Sequence, residues 1–295
     1  MTLNHGIFFA LAGALLLTPD SLFMRLSELN GGEMLAWRAS LSGIIYLIIG
    51  FVFGGSATAI RSGSLKRFNF WILVLCQISN TTFFAFAIAI APVAIVLVAV
   101  ATVPIFSVIL GFFFLAERPS SGTWAIIGIV FFGVVFSVMG DLDTAEFLNR
   151  YTLLGALFGL FVAISLAVNF VIIRKDNTLP FELALGFGSA IAGLSAFVLF
   201  PTALLIEFES AIYISSTGLI ILPVSFYLLS YASRFTSAAN VSILMLLETV
   251  LGPFWVWLGV GETPGLLGFI GGAIVVPALI YFLAGQKATP VNPRQ

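Results

Sequence analysis

Gly6 to Arg25 reads GIFFALAGALLLTPDSLFMR, and Gly155 to Arg174 reads GALFGLFVAISLAVNFVIIR. Laid on each other at an offset of 149 residues, the two stretches match at Gly6 and Gly155, Phe9 and Phe158, Leu11 and Leu160, Ala14 and Ala163, Leu17 and Leu166, and Arg25 and Arg174. The same shift carries Glu33 onto Glu182. An offset of 145 carries Glu117 onto Glu262 and Pro119 onto Pro264, each pair between an apolar run and a glycine-rich one. The chain reads as two copies of one unit.

Each copy is made of runs long enough to cross a bilayer. A helix needs about 20 largely apolar residues to span a hydrocarbon core about 30 Å thick, and in lipid every backbone polar group must be paired inside the element. Ten such runs are present: Gly6 to Leu26, Met34 to Phe53, Phe70 to Ala89, Val93 to Leu115 and Thr123 to Met139, then Leu153 to Ile173, Leu183 to Leu205, Ile214 to Ala232, Ala238 to Val260 and Gly265 to Leu283. With 60% hydrophobic residues, 8% charged residues and a mean hydropathy of +1.16, a 31.6 kDa chain has too little polar surface for water. Period-two alternation is absent, so helices are favoured over a barrel.

The expected fold is all-α integral membrane, with ten transmembrane helices as two inverted five-helix repeats. The first repeat covers residues 1–140, the second residues 150–285, and residues 286–295 form a polar tail expected to be disordered. Asp141, Asp143, Glu146 and Arg150 mark the break between the halves. Five is odd, so the second copy enters the membrane from the other side. Such inversion is a known basis of alternating access around a site near the midplane.

Positive charge sets the orientation. With a cytoplasmic N-terminus, Arg61, Lys66, Arg67, Arg118, Arg174, Lys175, Arg234, Lys287 and Arg294 lie inside, against Arg25, Arg38 and Arg150 outside. Both termini are then cytoplasmic, in a bacterial inner membrane. The first run has no cationic leader, and Ala10 and Ala12 lie within it, so a cleaved signal peptide is not expected.

Several function classes find no support. A net charge of -1 offers no field for nucleic acid. His5 is the single histidine and lies outside the first run, so neither a histidine metal site nor a His-based triad is expected within the membrane. No phosphate-binding glycine loop is present, which argues against an ATP-driven pump. No enzyme, metal or cofactor is expected; the expected partners are a small-molecule solute and the lipid bilayer. Cys76, the single cysteine, reads as an inert thiol in an apolar run.

The fourth run with Pro104, its close Phe114-Leu115-Ala116-Glu117-Arg118, and the following helix with Gly128 and Gly133 resemble the repeat of the drug/metabolite transporter superfamily, in its ten-helix EamA-type branch. Leu246-Leu247-Glu248 and then Gly259-Val260-Gly261-Glu262 are similar to its second copy. Thr249 departs from the pattern, where a proline usually follows the glutamate, which leaves the bend of the ninth helix open. The resemblance implies a secondary transporter of small organic solutes, with a cavity lined by both halves. It places the fifth and tenth helices at the periphery or at a homodimer contact.

Ionisable groups inside spans are costly against lipid and normally face the interior or a wet cavity. Asp20 follows Thr18 and Pro19 in the outer third of the first run, and Arg38 lies at similar depth in the second. Asp20 has three readings: an ion pair with Arg38 or Arg25, a site for a proton or a substrate cation, or a helix cap at the proline break. Glu248 sits near the middle of the ninth run with no basic residue at comparable depth. It is the leading candidate for proton coupling or for reading an ammonium group, against a hydrogen-bonded tie between helices.

Asn169, the repeat counterpart of Asp20, and Asn80 on the third run are candidate cavity residues. Gln77 and Asn240, like Asn80, can hydrogen-bond across helices, with contact to a ligand as the alternative reading. Trp37, Tyr227, Tyr231, Trp255 and Trp257 combine a broad face with a polar edge and could wall a cavity that holds a cation or a ring, with interfacial anchoring as the plainer alternative, above all for Trp257. Glu117 is expected to cap its helix or pair with Arg118. The function expected is efflux of a small polar or zwitterionic metabolite, an amino acid or related amine, with export taken from family analogy. The alternatives are import of an organic cation or vitamin, a scaffold or channel, and, most distant, a membrane enzyme relying on carboxylates.

Overall fold

The computed structural model describes residues 3–52, 63–139, 150–261 and 266–286, and no strand occurs among them. Eight helical stretches are long and apolar enough to cross a membrane: His5–Leu26, Gly31–Val52, Phe68–Ile90, Val93–Leu115, Arg150–Lys175, Phe181–Leu199, Phe208–Ala232 and Ala238–Val260. They are the first to fourth and sixth to ninth helices. The fifth and tenth, Ser121–Met139 and Leu266–Gln286, carry shorter apolar stretches. The chain is an all-α integral membrane protein. The junction at 141–149, the Glu262–Pro264 mark and the tail beyond Gln286 lie outside the described residues.

Three of the spanning helices are broken. The first divides into Leu3–Leu17 and Asp20–Leu26, the fourth into Val93–Val100 and Val103–Leu115, and the ninth into Ala238–Met245 and Leu247–Val260. Pro19 and Pro104 each remove a backbone donor. Beside them, the Thr18 hydroxyl donates to the Leu15 carbonyl at 2.9 Å and the Thr102 hydroxyl to that of Ala99 at 2.6 Å, competing for helical acceptors. The ninth helix bends without a proline at 249. Leu246 N–H bonds the Ile243 carbonyl at 3.2 Å and Thr249 N–H that of Leu246 at 3.1 Å, the tightened turns of a break.

Two boundaries differ from the hydropathy reading. The seventh helix stops at Leu199, short of Leu205, because Pro201 opens a separate 3-10 turn, Pro201–Leu205. The eighth begins at Phe208, before Ile214, and carries a wide π turn at Thr217–Ile221. The Tyr46 hydroxyl, fully buried, donates to the Leu222 carbonyl just beyond that turn at 3.0 Å.

The connections gather at two ends. At one, Arg67 bonds Asp176 at 2.9 Å and Thr178 at 2.8 Å, Arg234 donates to the Leu179 carbonyl at 2.8 Å, and Gly6 packs on Phe235. This basic end also holds Lys66, Arg118, Arg174 and Lys175. Asp176 lies in a connecting turn, where partial burial pushes its carboxyl up, but hydrogen bonds from Thr178 and the Arg67 charge together hold it below the usual carboxylate range. At the opposite end Gly31 packs on Phe86 and Gly32 on Phe200.

Helix pairing has a regular logic. The second packs on the seventh, the fourth on the ninth and the fifth on the tenth; third on sixth is matched by first on eighth, third on seventh by second on eighth, and fourth on sixth by first on ninth. Exchanging the halves returns the same set. The second and seventh helices run antiparallel through small residues, as lipid gives no hydrophobic drive for association and close backbones must supply it. A Cβ at Gly43 would stand 2.7 Å from the Ala190 nitrogen, and one at Gly193 2.3 Å from that of Ser40.

Candidate functional site

The breaks bring buried charge together. Asp20 opens the second segment of the first helix, and Glu248 falls in the first turn of the second segment of the ninth, where the positive end of a helix dipole favours a carboxylate. Arg38 Nη2 meets Asp20 Oδ2 at 2.5 Å, with side-chain exposures of 5% and 1%. The Arg38 guanidinium also lies 5.3 Å from the centre of the Phe84 ring. Glu248, Asn80, Asp20 and Arg38 all border one narrow cavity of about 20 Å³. It is walled by Leu17, Val162, Leu166, Phe226 and Met245 among others. That space suits a single water.

The pair is monodentate. Among the described residues, Asp20 Oδ1 and Arg38 Nε have no hydrogen-bond partner, although both are buried. Buried polar groups are normally satisfied, so these two ask for a ligand or water. Glu248 is within electrostatic reach of both members of the pair. Glu248 thus adds a second carboxylate to the surroundings of the guanidinium that Asp20 contacts.

The side of the cavity away from the basic end is tied shut. Trp255 Nε1 donates to the Thr18 hydroxyl at 2.9 Å, joining the ninth helix to the break in the first, and Gly252 sits against the Ser21 hydroxyl. Gly218, in the π turn of the eighth helix, rests on the Arg38 carbonyl and so presses the second helix from the other side.

Four of the residues singled out in the sequence meet here: Asp20, Arg38, Asn80 and Glu248. The structure selects Arg38, and not Arg25, as the partner of Asp20. The other four lie elsewhere. Trp37 donates through Nε1 to the Ala203 carbonyl at 2.7 Å and packs edge-on against Phe197, which ties the second helix to the turn after the seventh. Tyr227 and Tyr231 stack on each other 5.9 Å apart and, with Phe181 and Arg234, form an aromatic cluster toward the basic end. Asn169 is buried with Oδ1 unpaired among the described residues, on the helix that lends Val162 and Leu166 to the cavity but not itself bordering it. Gln77 bonds Ser189 at 2.9 Å, and Asn240 bonds Thr236 at 2.8 Å.

A second, larger cavity escaped the sequence reading. About 930 Å³ opens at the basic end between the fourth, fifth, sixth and ninth helices, bordered by Ser107, Glu117, Arg118, Arg174, Lys175 and Asn240. Glu117 is placed there by the left-handed turn at Ala116, its N–H reaching the Gly111 carbonyl at 3.2 Å. Its carboxylate pairs with Arg174 Nε at 3.3 Å and not with Arg118, as the local reading had it. In the sequence these cations served only as orientation marks, because nothing in their spacing says that they converge.

Broken helices, matched pairings and an internal charged cavity define a polytopic helical membrane protein organised around a polar centre. Residues 4–139 match the EamA-like transporter family. The chain is 26% identical over 190 residues to the uncharacterized transporter YdfC of Bacillus subtilis, an alignment that covers 62% of this chain and 60% of that relative. A protein known from its crystal structure shares the fold with a TM-score of 0.73 at 18% identity, covering 97% of this chain and 99% of its own. Over residues 4–139, just under half of its length, this chain is similar to the EamA-like transporter family.

Proposed function

We propose that the protein is a secondary transporter that exports a small polar or zwitterionic metabolite, an amino acid or related amine, by alternating access. The observation that carries this reading is the Asp20, Arg38 and Glu248 cluster in the narrow cavity between the halves. Two carboxylates beside one guanidinium leave a surplus negative charge when both are ionised. Such a charge is costly in a buried site. A proton or the ammonium group of a solute would neutralise it, which gives the cluster a reason to bind one or the other in turn. The exchange-symmetric helix pairings support two inverted repeats that rock about that cluster, and the broken fourth and ninth helices fit the discontinuous helices of such carriers.

The basic end is read as cytoplasmic by the positive-inside rule, in a bacterial inner membrane. The wide cavity then faces the side from which an exporter loads. The test is counterflow in proteoliposomes loaded with amino acids and small amines one at a time. A solute whose labelled form accumulates against its unlabelled pool identifies the substrate. A protein that is folded and inserted yet exchanges nothing across the panel, including organic cations and vitamins, would leave a scaffold as the better reading.

A further inference from the structure

The cavity at the basic end carries a charge pattern of its own. Among the described residues, Arg118, Arg174 and Lys175 border it against the carboxylate of Glu117, three positive charges to one negative. Low-dielectric walls focus such a field toward the mouth and raise the local concentration of anions. Arg174 is held loosely: its contact with Glu117 is a single 3.3 Å approach through Nε, both side chains are about a third exposed at 33% and 31%, and its Nη1 donates to the Arg234 carbonyl at 3.0 Å. A guanidinium is best matched by two oxygens of one planar or tetrahedral anion, which a solute can offer and this Glu117 contact does not. The Lys175 ammonium lies 5.6 Å from the Phe114 ring centre, and Lys175 borders the cavity. The volume of about 930 Å³ suits a metabolite-sized guest.

Position links this cavity to the central cluster. Arg174 lies eight residues along the sixth helix from Leu166, and Asn240 eight residues along the ninth from Glu248, about 12 Å at 1.5 Å per residue. The two cavities are stations on the same pair of helices.

We infer that the basic-end cavity is an anion-capture site, in which the carboxylate or phosphate of a solute displaces Glu117 from Arg174 and is held by Arg118 and Lys175 before the solute moves inward. The order of events rests on the transport reading above. The binding step does not.

The experiment measures binding at equilibrium, with no gradient, so it stands apart from the transport assay. The full chain in phosphatidylcholine nanodiscs is titrated with succinate and with inorganic phosphate at constant ionic strength, with choline as the cationic control. Both anions are expected to bind and choline not to compete with them. K175Q and R118Q should each weaken binding about threefold, and the double variant more. E117Q should strengthen it several-fold by removing the internal competitor, an effect opposite in sign to that of a merely structural tether. Equal or weaker anion binding by folded E117Q overturns the proposal, as does binding indifferent to both K175Q and R118Q. Repeating the titration in discs containing phosphatidylglycerol separates the sources. Retained binding identifies a soluble anion, while anion binding lost only in those discs identifies a lipid phosphate in the same cavity.

Discussion

Asp20 with Arg38 and Arg174 with Glu117 are each a carboxylate held by a guanidinium through a single contact, yet they differ in length, burial and place. The first is 2.5 Å long, almost wholly buried, and lies within the first half of the chain. The second is 3.3 Å long, a third exposed, and bridges the two halves. Around the first, the cavity shrinks to about 20 Å³; beside the second, it opens to about 930 Å³. One end of the molecule is locked while the other stands ajar, and the permanent bond lies inside a half while the releasable bond lies between halves.

That contrast is most easily broken at Asp20. D20N removes the carboxylate in contact with Arg38 and leaves the buried guanidinium only the more distant Glu248, which should cost about 3 kcal/mol, seen as a large fall in melting temperature in detergent. The D20N/R38Q double variant should recover part of that loss, because neither charge is then stranded. A D20N protein as stable as the parent would mean that the pair is not the fastener described. E248Q comes next: with folding retained, counterflow should fall at least tenfold, about 1.4 kcal/mol, and lose its dependence on pH. Unaltered transport and pH profile would remove Glu248 from the mechanism.

Part of this plan is legible in one dimension. The apolar runs, the 149-residue echo and the similar depth of Asp20 and Arg38 follow from spacing, because lipid forces nearly continuous apolar stretches and leaves few places for a charge; the choice of Arg38 over Arg25 as the partner does not. The faces of the helices do not. With lipid outside and an apolar core inside, these helices are apolar all round, so no stripe marks which side packs. Trp37 and Tyr227 were for that reason indistinguishable from cavity residues until Ala203 and Phe181 were seen against them. Gly193 likewise reveals its role only once Ser40 is its neighbour.

Smaller changes sharpen the comparison further. W255F removes the 2.9 Å bond to Thr18 on the locked side and should cost about 1 kcal/mol, measurable by thermal unfolding and by faster exchange at the first helix break. R174Q acts on the open side, where an exposed pair contributes less than about 1 kcal/mol; a loss equal to that of D20N would erase the distinction between the ends.

Smallest of all is D176N, worth a few tenths of a kcal/mol because Arg67 is 45% exposed and solvent screens the pair. Folding lowers the Asp176 carboxyl, so its contribution is complete above the unfolded value near pH 4 and fades as acid protonates it below that. The difference between D176N and parent should thus close on acidification and persist at neutral pH.

The fourth helix breaks at Ala101 and the ninth at Leu246, and the 145-residue shift that relates their loops carries one break onto the other. Under the alternating-access reading proposed above, two elbows at equivalent positions of the two copies would flex as paired joints, one toward each face of the membrane. On that same reading, a small molecule wedged at either elbow would stall both doors at once, so one inhibitor site would suffice to freeze the proposed cycle.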